Sequence, residues 1–555
     1  MSHKNYGLSA KNTLILRAIC LIMSLLTFTG LFAQDELKNR PELGLPLSDR
    51  KLVIAHNMTD IIRFKNHDLE DSCDPEYYPP EGNITEPLGG MVQVSVIADR
   101  YYKDSTLEQT VEFEIRTAMK CGIDGFQFYY PLRKRGPDDE IIKAYFRVAK
   151  KKNLDFRFTL CPSHPGGLTE ELKIEEYARR MNKIFDEVGH DNPHWLRTPD
   201  GRLILYLWYG EQIVDIPHDL NGYSPKYYVA RAYQRLGEAV GENFACVYSF
   251  NYDISDQELA DVLDYFPAAW MWTVPYTGES YIGRKIADAC KEKGRTFTGS
   301  TFASFYTSKL LPPGTWDMFH YAKDAVDAGI NNVERRGIIT GLSYNYRKLL
   351  EFAIEEDVPI INIITWNDYP EGHHLAPEVN HNYGFSVLLN YYISIWKNEP
   401  SPYADRDVAI TFFKKYNHNI KPDPFYIPIV NLAYALPEEY EDSVEVVTIL
   451  TEPAQVSING TTKDVKSGIV STRFDQKPGK VHVTVKHNDV TTVDFVAPEW
   501  ITDKPYRTDR LIYSFSSEFS RYHYSIFGNL PPVYSREYDL EKNEIKLDLS
   551  FLEKK

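Results

Sequence analysis

The residues best suited to chemistry gather near position 370. Asp368 and Glu371 stand three apart at the end of an apolar run, with Asn367 before them, Pro370 and Gly372 beside them and His373 just after. Breaking a glycosidic bond takes one carboxylic acid to protonate the leaving oxygen and a second carboxylate to activate water or attack. A turn at Pro370 and Gly372 would aim two carboxyls at opposite sides of a sugar, although sequence spacing does not fix their separation. The bland alternative is that one of them caps the following helix or pairs with an arginine.

His373, His374, Glu378 and His381 form the densest ligand-capable cluster. Their spacing matches neither His-Glu-x-x-His nor a zinc-finger pattern, so the cluster reads as substrate contacts or supporting hydrogen bonds. No metal and no cofactor are expected, while a calcium site built from scattered oxygens needs no compact motif and stays open.

These groups need a scaffold. Short apolar runs at Leu52–Asn57, Gly125–Tyr130, Asp155–Leu160, Leu203–Trp208, Phe244–Phe250, Ala268–Thr273, Phe297–Phe302 and Pro359–Thr365 alternate with helical periods such as Leu107, Val111, Ile115 and Met119. Eight strands with intervening helices predict an α/β fold, a (β/α)8 barrel, with Met91–Ala98 as part of an insertion. A doubly wound sheet is the alternative, but no Gly-x-Gly-x-x-Gly turn follows an early strand. In such a barrel the chemistry sits where strands end. Those ends offer His56 and Asn57, Gln127 and Tyr129, Ser163 and His164, Trp208, Tyr209 and Glu211, Asn251 and Asp253, then Trp270, Trp272 and Tyr276, and Ser300, Phe305 and Tyr306. The eighth runs through Thr365, Trp366, Asn367 and Asp368. Aromatic rings with amides and carboxylates at one rim suit a sugar cleft, although rings also fill cores. The expected substrate contacts are His56, Trp208, Asn251, Asp253, Trp270, Trp272, Tyr276, Trp366, Asn367 and His373, with Glu211 and Asp253 as rival carboxylates.

Past the last barrel helix (Gly384–Lys397) the texture changes. Six prolines between 398 and 440 suggest an irregular wrap on the barrel. Alternating runs at Val444–Leu450, Ala454–Ile458 and Val481–Val485, with Asn459-Gly460 and Pro478-Gly479 as turns, predict a small C-terminal β-sandwich. The Tyr- and Ser-rich tail is expected to complete that sheet or dock on the barrel. The division is therefore a leader over 1–33, a barrel with its wrap over 34–440, and the sandwich with its tail over 441–555.

Composition narrows the class. With 62 Lys+Arg against 78 Asp+Glu and a charge of −16, the chain lacks the basic face a nucleic-acid binder needs. The short run Arg133-Lys134-Arg135 reads as a solvated loop. Lys4, Lys11 and Arg17 precede an apolar run from Ala18 to Phe32 and then Ala33-Gln34-Asp35, which reads as a secretory signal peptide. Its removal makes the balance still more acidic, which suits a neutral polysaccharide. An exported product without a membrane span is expected, and its oligomeric state is not legible. Cys73, Cys121, Cys161, Cys246 and Cys290 show no framework spacing, which leaves room for one bridge, and Cys161 and Cys246, at or within apolar runs, read as buried thiols. The Asn-x-Thr triplets at Asn57, Asn83 and Asn459 are treated as chance.

Thr365-Trp366-Asn367-Asp368-Tyr369-Pro370-Glu371-Gly372-His373 resembles the Thr-Trp-Asn-Asp-Tyr-Gly-Glu-Ser-His signature of glycoside hydrolase family 71, the α-1,3-glucanases or mutanases. Val53–Met58, Gly122–Phe126 and Ser300–Phe305 are similar to other segments of that family. The resemblance covers roughly residues 51–415. It implies a (β/α)8 barrel with a β-sandwich beside it, and metal-independent, inverting hydrolysis, endo-acting on α-glucan. By the same resemblance Asp368 and Glu371 match the catalytic acids. Glu371 is assigned as general acid and Asp368 as base, with the roles exchangeable, while His373 and Asn367 orient hydroxyls or the carboxylates. Pro370 and Gly372 depart from the family's Gly and Ser. Cys161-Pro162-Ser163 stands where the family's third strand ends in an Asp, which leaves linkage open. Family 99 endo-mannosidase-like barrels share the Trp-Asn-x-x-x-Glu-Gly pattern. That family, another α-glycan hydrolase and a non-catalytic glycan-binding barrel are the alternatives.

Overall fold

The computed structural model describes residues 36–67, 104–132, 138–250, 254–316, 332–423 and 425–530, with 319, 325 and 327–329. The leader, the strand expected at Met91–Ala98, Arg133-Lys134-Arg135, the Asn83 triplet, Cys73 and the candidates Asn251 and Asp253 lie outside these residues.

The barrel forms where the apolar runs predicted it. Strands β1 (Leu52–Asn57), β2 (Gly125–Pro131), β3 (Arg157–Ser163), β4 (Leu203–Leu207), β5 (Phe244–Phe250) and β6 (Ala268–Met271) pair in parallel, each with the next. The next stave is split into β7 (Thr296–Phe297) and β8 (Gly299–Thr301), because the Thr298 amide and hydroxyl both donate to the Ala269 carbonyl. After β9 (Arg335–Ile339), which lies outside the ring, β10 (Ile360–Ile363) completes it. β7 pairs with β6, β8 with β10 and β10 with β1, so the ring nearly closes. Helices α1 (Leu107–Lys120), α2 (Asp138–Lys152), α3 (Glu170–Val188), α4 (Pro225–Val240), α5 (Asp256–Tyr265), α6 (Ile282–Lys293) and α7 (Tyr344–Glu355) fill the connections. Their starts follow local chemistry. Thr106 and Gln109 form a capping box on α1, and α2 opens on Asp138, Asp139 and Glu140 and closes on Lys150, Lys151 and Lys152, matching the helix dipole.

Helix α8 (Gly384–Trp396) is apolar nearly all round because it is covered on both sides. Phe385 packs on Tyr346 of α7 and on Phe412 of β11 (Val408–Phe413), and the Gly384 backbone lies against Ser514, where a Cβ would fall 2.3 Å from its Oγ. Strand β11 lies in the segment expected to be an irregular wrap. It joins an antiparallel sheet with β13 (Ser443–Leu450), β16 (Gly468–Asp475) and β19 (Tyr513–Ser516), in the order β16-β13-β11-β19. The wrap also supplies β12 (Ile429–Tyr434), which pairs in parallel with β9. A second sheet, β15-β14-β17-β18, comprises β14 (Ala454–Ile458), β15 (Thr461–Val465), β17 (His482–His487) and β18 (Val490–Val496). Val446 of the first sheet and Val456, Val483 and Val485 of the second share one hydrophobic cluster. The expected hairpin turn is in place, with Asn459 and Gly460 both at positive φ, 48° and 85°. The described part of the tail both completes a sheet and docks on the barrel. β19 completes the first sheet, and α9 (Phe519–Phe527) sets Phe527 on Phe113 of α1. Cys121, Cys161, Cys246 and Cys290 are unpaired and buried. Among the described residues no helix is long and apolar enough to cross a membrane.

Candidate active site

Beyond β10 the chain doubles back over the rim. The Thr365 amide donates to the His373 carbonyl at 2.9 Å, Trp366 to the His56 carbonyl at 2.6 Å, and Ala376 to the Trp366 carbonyl at 2.8 Å. Inside this loop Pro370 opens a single 3-10 turn, Tyr369–Glu371, and Gly372 ends it at φ 69°. A Cβ on Gly372 would lie 2.7 Å from the Tyr306 carbonyl oxygen, so both the conformation and the contact require glycine. The approach is close because the loop after β8 is stitched on: the Tyr306 amide donates to the Glu371 carbonyl and the Ser308 amide to the Pro370 carbonyl.

That stitching delivers a lysine. Lys309 Nζ lies 2.6 Å from Glu371 Oε1, and His373 Nε2 lies 3.2 Å from Glu371 Oε2 and 3.7 Å from Asp368 Oδ2. The other ring nitrogen of His373 is 3.2 Å from Thr365 Oγ1, which also accepts the Asp368 amide at 2.9 Å. One donor atom each from Asp368, Glu371 and His373 fall within 4.8 Å of one another.

The two carboxyls are electrostatically unequal. Burial, then the charge of Glu371, push Asp368 up to about 6, against a smaller opposing pull from His373 and Lys309. Burial also acts to raise Glu371, but Lys309 and His373 outweigh it and hold this carboxyl well below the usual carboxylate range. The shifts run in opposite directions, so the proton of the pair favours the Asp368 side. One carboxyl favours its protonated form beside another held ionised.

Aromatic rings extend from the dyad. Trp272 lies 6.0 Å from His373, centroid to centroid, and stacks on Trp208 at 4.5 Å and 27°. Trp208 meets His164 at 4.8 Å, and His164 stacks on Tyr209 at 4.7 Å. Trp208, Trp272 and His164 are half-buried and Tyr209 is exposed, which leaves ring surface for a ligand at the rim.

Residues 341–509 match the family model described as glycosyl hydrolase family 71. This segment carries α7, β10, the whole dyad loop, α8 and most of both antiparallel sheets. The protein is a glycoside hydrolase, similar over this segment to family 71. No curated protein matches the chain. Among solved structures, the GH99 endo-alpha-mannosidase from Bacteroides thetaiotaomicron is 11% identical, covering 63% of this chain and 98% of its own at a TM-score of 0.40. A glycosyl hydrolase family 2 member from Bacteroides cellulosilyticus is 11% identical over 73% of this chain and 44% of its own, with a TM-score of 0.37. A family 1 β-glucosidase from Thermotoga maritima is 9% identical over 63% of this chain and 98% of its own, with a TM-score of 0.32. Likenesses this slight carry no argument about the hydrolase's substrate.

Several expected contacts do other work in this hydrolase. Trp366 was expected to face sugar. Its indole is buried against Phe126 and donates to Glu114 of α1 at 2.6 Å, so it anchors the loop behind the strands. Asn367 was expected to orient hydroxyls or carboxylates. Its side chain instead accepts the Met58 amide and donates to the Met58 and Ile61 carbonyls, clasping the loop after β1. Trp270 is fully buried, donating to the Leu207 carbonyl beneath Trp272. His56 is also fully buried, between Trp272, Trp208 and Tyr129. Burial drives its pKa down to about 3, against a smaller upward pull from Gln127, so it is a neutral support for the rings above it. Tyr276 packs on Tyr281 and Tyr344 with its hydroxyl held by Arg284, apart from the dyad.

His373 does meet Asp368 and Glu371, with Trp272 beside His373 and Trp208 stacked on Trp272. At the end of the third strand, where the resemblance implied an Asp, Ser163 is buried and donates to the Cys161 carbonyl. Of the rival carboxylates, Glu211 sits in the 3-10 turn Gly210–Ile213, where Tyr209 feels both it and Glu371. Lys309 was missed, because a lone lysine in a loop carries no motif.

Proposed function

We propose that this hydrolase is an exported enzyme that cleaves α-1,3-glucan within the chain, with Asp368 as general acid and Glu371 as general base. The observation that carries the reading is the unequal pair itself, one carboxyl favouring its protonated form and its neighbour held ionised beside half-buried rings. This exchanges the roles assigned from sequence. A glucose unit stacked against Trp272 and Trp208 would place its glycosidic oxygen toward Asp368. Asp368 gives its proton to that oxygen as the bond to the anomeric carbon breaks. Water, losing a proton to Glu371, supplies the hydroxyl that completes the new reducing end. His373 and Lys309 keep Glu371 charged until it takes that proton.

The inverting course implied by the family resemblance needs carboxyls about 6.5–9.5 Å apart, so that water fits behind the sugar. Here two of their oxygens are within 4.8 Å, nearer the ~5–5.5 Å of retaining enzymes. That spacing favours a second course, in which Glu371 attacks the anomeric carbon directly and water then releases the sugar. Proton NMR of the first products separates the two: β-anomeric reducing ends mean inversion, α-anomeric ends retention.

The two antiparallel sheets with their shared cluster are read as a sandwich accessory unit, and the apolar run after Lys4, Lys11 and Arg17 as the export signal. A panel of α-1,3-, α-1,4- and α-1,6-glucans and α-mannans tests the substrate. Release of reducing ends from α-1,3-glucan supports it, and turnover of mannan alone overturns it.

A further inference from the structure

Behind the dyad lies a second cluster that the hydrolytic account does not use. His374, Glu378 and His381 are fully buried and offer one donor atom each, all within 4.8 Å of one another. His374 Nε2 and Glu378 Oε1 are 3.2 Å apart. A tetrahedral zinc with bonds of ~2.0–2.1 Å has ligand–ligand edges of about 3.3–3.4 Å, so this pair already stands at coordination spacing. His381 Nδ1 faces the His374 carbonyl at 3.0 Å, and its Nε2 has no hydrogen-bond partner. A ring whose Nδ1–H is spent on a carbonyl presents its lone pair at Nε2, the usual posture of a metal-ligating histidine. Glu378 is oriented in turn, its two oxygens accepting the Asn380 and His381 amides at 2.8 and 2.5 Å. Asn380, two residues on, has a buried side-chain amide with no partner at either atom.

Orphaned imidazole nitrogens in a dry site are costly unless something occupies them. The neighbouring Asp368, Glu371 and His373 group has the same kinds of donor atom, but the Lys309 ammonium already sits on Glu371 and opposes a second cation there. Around the His374 group, Lys414 and Asp509 act with opposite signs, and His373 acts on His374 itself. The donor set of two imidazoles and one carboxylate suits zinc better than magnesium or calcium, which prefer oxygen shells.

We infer that His374, Glu378 and His381 form a structural zinc site that cross-links the returning limb of the dyad loop to the start of α8. His373, next in the chain to His374, would be held against the carboxyls by that cross-link.

The test uses the full-length protein, stripped with a chelator, equilibrated with Zn²⁺ and dialysed, with metal counted by mass spectrometry. About one zinc per chain is expected. His374→Gln and His381→Gln should each weaken binding at least 100-fold, while Glu371→Gln binds as the wild type does. X-ray absorption on zinc-loaded wild type needs no variant and is expected to show two imidazole nitrogens in the first shell. A wild type holding only trace zinc overturns the inference. So does a shell with one imidazole or none, or unchanged binding in the His374 and His381 variants.

Discussion

Lys309 Nζ sits 2.6 Å from Glu371 Oε1, and this contact sets which carboxyl of the dyad keeps the proton. With Glu371 held ionised, its charge adds to burial in raising Asp368 to about 6. A general acid must be protonated to act, so kcat/KM for the free enzyme falls as pH rises through about 6. The acidic limb lies well below the usual carboxylate range, because Glu371 must be charged. Lys309→Met removes the stabilising charge, so Glu371 holds its proton to higher pH. The acidic limb of the kcat/KM profile then moves upward, and the alkaline limb moves less and in the same direction, because Lys309 pulls only weakly on Asp368. An unmoved acidic limb would show that Lys309 does not act through Glu371.

The two carboxyls differ in what replaces them. Asp368→Asn and Glu371→Gln should each lower turnover of polysaccharide by about 10²–10⁴, the usual worth of a positioned proton carrier. An aryl glycoside whose leaving group needs no proton separates the roles. Asp368→Asn should recover most activity on it, and Glu371→Gln should not. Recovery in the Glu371 variant instead would restore the assignment made from sequence.

Gly372 carries a conformational demand. An alanine there must adopt a left-handed backbone, costing about 1–2 kcal/mol, and place a Cβ 2.7 Å from the Tyr306 carbonyl. Gly372→Ala should therefore lower Tm and kcat together, because the same turn carries Glu371. A variant with wild-type Tm and kcat would mean the turn tolerates both.

Asn367 and Trp272 should separate in kinetics. Asn367→Ala strips three hydrogen bonds from the loop after β1 and leaves backbone groups unmet, a loss of about 1–3 kcal/mol readable as a fall in Tm. Trp272→Ala should chiefly raise KM, because a half-buried ring next to His373 is lost as a stacking surface. An unchanged KM would place the sugar elsewhere on the rim.

Much of this was legible in the sequence. The apolar runs fall on barrel strands because parallel strands buried on both faces must be continuously apolar. Val53, Ile54 and Ala55 are all fully buried. The dyad loop was legible because Pro370 and Gly372 mark its turn. Trp366 and Asn367 were misread because strand position does not say which way a side chain leaves a loop. As anchors to Glu114 and Met58, they mark the architecture of this loop rather than its substrate. Strands β11 and β12 were hidden among prolines, which flank them and lie in neither. Lys309 reaches Glu371 only through pairing of two loops about 60 residues apart, a contact with no local signature.

Hydrolysis of an α-1,3-linked glucan by Asp368 and Glu371 is the proposal on which the preceding expectations rest. The most direct measurement is reducing-end release from α-1,3-glucan by the wild type and by Glu371→Gln at pH 5. The account predicts soluble oligosaccharides from the wild type and none above background from the variant. Equal release by both, or none by the wild type, would contradict it.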